Sequence, residues 1–315
     1  MSHAQAIRQI NMKHGLYLFR HLCAPAVLAI FSAPAFGDGA GTDENKMATV
    51  SSEASTSDKS ACSIFNPTPA GSMREMSPDR PDKTESPYTV DAGHFQLEMD
   101  FANYTYHETA DERTRVWNVA PFNIKAGLLD NVDLQFVFDD YLNARTDDRL
   151  TGASTRQSGV GDLRTRLKIN LWGNDGGRTA FALLPYVKFP TSMDHLGNDA
   201  VEGGVIFPLE VKLPGDFDMG LETAVSILQD DSDSRYHEDF INSITFGHGL
   251  IGKLDGYLEF FSDISTERHS DWVGTVDVGL EYAATENVQF DCGCNVGVTR
   301  GADNANPFAG ITVRF

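Results

Sequence analysis

Three cations stand at alternate positions in the run Arg164-Thr165-Arg166-Leu167-Lys168. On a β-strand that spacing puts Arg164, Arg166 and Lys168 on one face, as a basic ladder with a step of about 7 Å. The next apolar-periodic segment adds Lys188. Acids then take the polar positions from Glu210 onward, at Glu222, Glu259, Asp277 and Asp291, and Glu98 and Asp100 do the same near the start. Opposed rows of fixed charge in a narrow enclosure would set a transverse field and orient polar or zwitterionic solutes. The plainer reading of each residue is pairing across the interior, because desolvated charge must be paired or hydrogen-bonded. These residues are the candidate lumen lining. They form no catalytic, cofactor-binding or metal set.

Other chemistry is thinly represented. His237, His248, His269 and Ser270 are the parts available for a hydrolase. His269 and Ser270 are adjacent, so on a strand they would face opposite ways, and no nucleophile, base and orienting group emerge together. The acidic stretches Asp230-Asp231-Ser232-Asp233 and Glu238-Asp239 have no calcium-loop spacing and read as solvated loop charge. Cys292 and Cys294 alternate on one strand face and so do not suit a mutual disulfide; both read as small outward apolar residues. Cys62 reads as an unpaired linker thiol. The formal charge of −20 disfavours nucleic-acid binding, which needs basic patches to hold phosphates.

The elements that must hold the ladders are strands. From Gly93 onward apolar and polar residues alternate, as in Phe95, Leu97, Met99 and Phe101 against Gln96, Glu98 and Asp100. Val132, Leu134, Phe136 and Phe138 repeat the pattern, and so do segments through to the closing Phe308–Phe315. About twelve strands of roughly ten residues result, the length that crosses a bilayer at a tilt. Short turns (129–131, 173–177, 214–216, 252–253, 284–287) alternate with longer polar segments (142–158, 190–203, 229–239, 265–271, 299–307). That asymmetry belongs to an up-and-down antiparallel transmembrane barrel, with an even strand count returning both termini to one side. Trp172, Phe217, Tyr282 and Phe315 fall at strand ends on the short-turn rim, and Tyr141, Tyr186 and Trp272 toward the other, the places of interfacial girdles.

The first 37 residues read as a signal peptide. Arg8, Lys13 and Arg20 precede the apolar run 22–31, and the small residues of Ser32–Gly37 follow. Met1 and Met12 both serve as possible starts. Residues 38–88, rich in Ser, Thr, Glu, Lys and Pro, read as a disordered or loosely docked periplasmic linker, able to obstruct the lumen in part. Residues 89–315 are the barrel.

Several stretches carry a family resemblance. Gly159-Val160-Gly161-Asp162-Leu163 enters one strand, Lys188-Phe189-Pro190-Thr191 leaves another, and Tyr257-Leu258-Glu259-Phe260-Phe261 lies in a third. With Asn287–Asp291, Val296–Thr299 and Phe315, these resemble the outer-membrane transporters called the MetA-pathway of phenol degradation family, over about residues 85–315. The resemblance implies an outer-membrane barrel of a Gram-negative bacterium that passes small, often hydrophobic or aromatic, compounds. The closing Phe315 resembles the assembly signal of outer-membrane barrels, which implies recognition by the barrel-assembly machinery. Lipid and lipopolysaccharide are the expected surroundings and a small-molecule solute the expected cargo. No cofactor, metal or nucleic acid is expected. The alternatives are a lipid-modifying hydrolase on a twelve-stranded barrel and a non-conducting surface barrel.

Overall fold

Alternation of apolar and polar residues builds strands, and fifteen are present among the described residues of the computed structural model, 58–193, 196–230 and 234–315. The expected signal peptide and residues 38–57 of the expected linker lie outside them, as do Asp231, Ser232 and Asp233 of the acidic loop. The strands are β1 (Phe95–Glu108), β2 (Glu112–Val119), β3 (Phe122–Leu129), β4 (Val132–Phe138), β5 (Tyr141–Asp148), β6 (Ser154–Gly159), β7 (Leu163–Trp172) and β8 (Thr179–Phe189). After them come β9 (Glu202–Leu213), β10 (Phe217–Gln229), β11 (Tyr236–Ile251), β12 (Leu254–Ser265), β13 (Val273–Thr285), β14 (Val288–Gly297) and β15 (Ala305–Arg314).

Fifteen pieces make twelve wall strands. The lower part of β1 pairs with β3 and its upper part with β2, so β2 and β3 are one strand broken at Ala120-Pro121. Ala120 takes a positive φ of 56° and Pro121 lacks a ladder donor, which together cause the break. In the same way β4 and β5 form one wall strand, and β6 and β7 another. Every neighbouring pair is antiparallel, and β15 pairs with β1 through Leu97↔Val313 and Met99↔Ile311, which closes the ring.

The polar pattern is inside out. Asp133, Gln135, Lys168 and Asp277 have no solvent exposure, whereas Leu258 is 52% and Ile227 54% exposed. A soluble barrel would reverse this, because it must hide its apolar face from water; here the apolar face meets lipid. Trp117, Trp172, Trp272, Tyr141, Tyr236 and Tyr282 stand exposed on the outside near strand ends, where an interfacial girdle belongs.

Two expectations change. Residues 142–148 and 154–158 are not loop: β5 and β6 pair as a hairpin, and β5 runs beside β2 along its whole length. Their faces, Asn143, Arg145 and Asp147 on one side and Ala144 and Thr146 on the other, lack the apolar contrast that signals a strand. Tyr186 does not join the outer girdle. It shares the inward face of β8 with Leu184 and Lys188, lies 6% exposed, and its hydroxyl is 2.7 Å from Ser226 Oγ.

Residues 58–88 belong to the segment expected to be disordered or loosely docked, and able to obstruct the lumen in part. They run against the short-turn rim and then into the barrel. Thr68 N donates to Ala92 O and Ile64 N to Leu128 O at the rim, and the segment returns to β1 through Asp91-Ala92-Gly93. Gly127 lets this return pass, since a Cβ there would lie 2.1 Å from Asp91 O.

Candidate functional site

The site is the lumen, and the inner segment occupies its short-turn half. Asp79 sits among three cations of the wall: Lys125 at 2.5 Å, Arg166 at 3.3 Å and Lys168. Lys125 also pairs with Glu98, which accepts a hydrogen bond from Asp79 N at 3.2 Å. Toward the seam Arg80 reaches Asp100 on β1 and Asp291 on β14, each at 2.6 Å. Gly310 makes room for it: a Cβ there would lie 2.3 Å from Arg80 Nη2.

The crest continues across the barrel. Lys83 Nζ lies 3.0 Å from Asp277 and donates to Thr275 Oγ1 at 2.7 Å, and its charge rests 4.4 Å from the Phe261 ring centre. Lys83 N and Thr84 N donate to the two oxygens of Glu259 at 2.9 and 2.8 Å. Glu85 N donates to Glu222 at 2.7 Å while its carboxylate pairs with Arg166. On the way down, Ser86 O and Pro87 O accept from Lys168 and Asn170, Tyr88 donates to Glu210 at 3.0 Å, and Val90 N donates to Asp133 at 3.0 Å. At the rim Arg74 binds Asp130 at 2.6 Å and Asp175 at 3.2 Å.

The candidate lining residues therefore divide. Glu98, Asp100, Arg166, Lys168, Glu210, Glu222, Glu259, Asp277 and Asp291 all face inward and all hold the inner segment. Lys188 lies nearer the long loops, bound by Asp162 at 3.1 Å and Glu202 at 2.7 Å. Arg164 faces open space. The two rows do not confront each other across water: Asp79 and Glu85 neutralise most of the basic row, and Arg80 and Lys83 bind the acidic one. Charge in so low a dielectric requires a partner, and the chain supplies it from its own inner segment.

Lys125 and the crest residues Asp79, Arg80, Lys83 and Glu85 escaped the sequence reading. A signal existed in the alternation of charges between Pro78, Pro81 and Pro87, a spacing too stiff for an ordinary linker. The cysteines behave as small side chains: Cys62, Cys292 and Cys294 are free thiols, Cys292 exposed. The closing Phe315 is 62% exposed at the rim, its ring stacked on that of Phe95 at 6.2 Å. Among the described residues no group of three or more His, Cys, Asp or Glu side chains could hold a metal ion.

Toward the long loops the lumen opens into a cavity of about 300 Å³. The crest from Asp79 to Glu85 is its floor. Its walls mix polar groups, among them Asn103, Asn118, Arg164 and Asn306, with Tyr186, Ile206, Ile241, Phe261 and Phe308. The apolar members continue into a cluster that includes Leu184, Ala224 and Leu228, all facing inward. The arrangement can hold a small solute.

A solved structure shares the fold, and others are more distantly similar. The COG4313 outer membrane channel from Pseudomonas putida F1 superposes with a TM-score of 0.54 and 13% identity, over 75% of this chain and 99% of that one. The NanC porin gives a TM-score of 0.43 at 11% identity, over 69% of this chain and 98% of that one. The CymD monoaromatic hydrocarbon channel gives 0.40 at 9% identity, over 70% and 87%. No curated protein matches the sequence. The family model described as "Putative MetA-pathway of phenol degradation" matches residues 78–315, which takes in the crest of the inner segment as well as every wall strand. The protein is an outer-membrane β-barrel, and the chain belongs to that family.

Proposed function

We propose that the protein is a passive outer-membrane channel for small molecules, gated or narrowed by its inner segment. One observation carries this reading: a closed lipid-facing barrel whose lumen is a cavity on the long-loop side and a bonded, polar obstruction on the other. Twelve wall strands lie between the roughly eight whose lumen side chains fill and the sixteen or more that leave an open channel, so this barrel has room for both an inner segment and a cavity. The polar inner segment, held by wall charges rather than by apolar packing, is built to be solvated when it moves. Lining residues from Glu98 to Asp291 then act as its seat, with Phe315 as the assembly signal and lipopolysaccharide as the outer partner.

Swelling of liposomes carrying the refolded protein, with a small sugar as solute, tests the channel. Sugar entry and discrete conductance steps in planar bilayers are the expected results; absence of both would sink the reading. A lipid hydrolase is the alternative, and the histidines argue against it. His237 sets its two ring nitrogens against Asp230 at 2.7 Å and Asp239 at 3.1 Å, and His248 stacks on Phe217 at 4.2 Å. Neither is set against a serine. Release of fatty acid from phospholipid or lipid A by the purified protein would reverse that judgement.

A further inference from the structure

Arg166 and Lys168 are fully engaged by the inner segment, yet Arg164, two residues along the same face of β7, is not. Its register partners are Val137 on β4 and Lys188 on β8. Lys188 is consumed by Asp162 and Glu202. Among the described residues Arg164 makes no hydrogen bond and no ion pair, although it is half-buried and lines the cavity. An arginine withdrawn from bulk water without a partner is a costly arrangement, and its planar fork suits a carboxylate.

The wall beside it is the second observation. Tyr186, Ile206, Ile241, Phe261 and Phe308 face a lumen that is otherwise polar. Apolar side chains lining water gain nothing, so this patch fits the apolar body of a ligand whose charged end meets Arg164. The floor sets the charge limit. Asp79, Glu98 and Asp100 are neutralised by cations, and among the described residues Arg164 is the one cation of the cavity lining without an ion pair, which leaves room for a single carboxylate.

We propose that this cavity is a binding site for a small amphipathic monocarboxylate, with Arg164 holding the carboxylate and the apolar wall holding an aromatic or alicyclic body. The proposal rests on the channel reading, and names the class of solute that the channel selects. A cavity of about 300 Å³ matches a single-ring molecule.

Calorimetric titration of the full-length refolded protein in detergent, with benzoate and its neutral counterpart benzamide, tests it. Benzoate should bind at least about tenfold more tightly than benzamide, the discrimination a charge-assisted bidentate contact supplies. Arg164→Gln should erase that preference, and Ile241→Gln should weaken both ligands alike. Heat-modifiable migration on gels confirms that each variant has folded. Equal affinity for the two ligands in the parent, or an undiminished benzoate preference in Arg164→Gln, would overturn the site. Sugar flux into liposomes separates the two readings: flux with no benzoate preference overturns the site alone, and benzoate preference without flux overturns the channel alone.

Discussion

Phe95 and Phe315 exchange two main-chain hydrogen bonds, each of 2.9 Å, and stack their rings 6.2 Å apart. The first residue of the first wall strand thus meets the last residue of the chain, at the seam where β1 and β15 close the barrel. In lipid an open seam would leave a row of unpaired backbone groups, each costing several kcal/mol. Removing Phe315 deletes two of these bonds, a net loss on the order of 2 kcal/mol, together with the ring contact. The expected outcome is a lower fraction of heat-modifiable barrel on refolding, with Phe315→Ala falling between the deletion and the parent.

Asp79 is the pivot of the inner segment. Asp79→Asn leaves Lys125 paired with Glu98 and Arg166 with Glu85, and takes from Lys168 its one ion pair among the described residues. Breaking a buried ion pair from one side costs about 3–5 kcal/mol. The barrel itself, held by its ladders, should persist while the segment leaves its seat. Single-channel conductance should rise, and protease should cut between residues 74 and 90 in the variant but not in the parent.

Gly127 permits the chain to pass between the inner segment and β3. Gly127→Ala places a methyl group against Asp91 O. A clash with main chain cannot be relieved by rotating a side chain, so the segment must shift, at a cost of about 1–3 kcal/mol. Amide exchange at Val90–Gly93 should accelerate, with the exchange of β9 to β12 unchanged.

Asp175, in the turn between β7 and β8, reports pH. Burial pushes its carboxyl up, but hydrogen bonds and charge from Lys59 and Arg74 win and hold it below the ordinary carboxylate range. A carboxylate depressed in the folded state stabilises above its unfolded pKa, near 3.8, and the contribution is lost as pH falls through the folded value. The difference in protease resistance of residues 58–66 between parent and Asp175→Asn should be full at pH 7, begin to shrink below about pH 4, and vanish in stronger acid.

The sequence by itself determined the wall. Period-two alternation, strand length and the short-turn, long-loop asymmetry specify a lipid-facing barrel, because each can be judged within about ten neighbouring residues. The inward face of the basic row was legible for the same reason: Arg164, Arg166 and Lys168 share a parity. Tyr186 shares the parity of Lys188, and that parity, not its aromatic character, sets it inside the barrel. In β5 and β6 the signal failed, since β6 is polar on both faces and β5 offers only Leu142 and Ala144 as apolar contrast.

Tertiary structure alone decided what the charges do. Asp79 meets Lys168 and Arg80 meets Asp291 across separations of 89 and 211 residues. No local pattern encodes such pairings, and a segment too polar to bury itself in isolation becomes ordered only inside a lumen of complementary charge. The same closure shows which cation is left over. Arg164 looks equivalent to Arg166 in the chain, and only the depth reached by the crest of the inner segment makes one a structural anchor and the other a group facing the cavity.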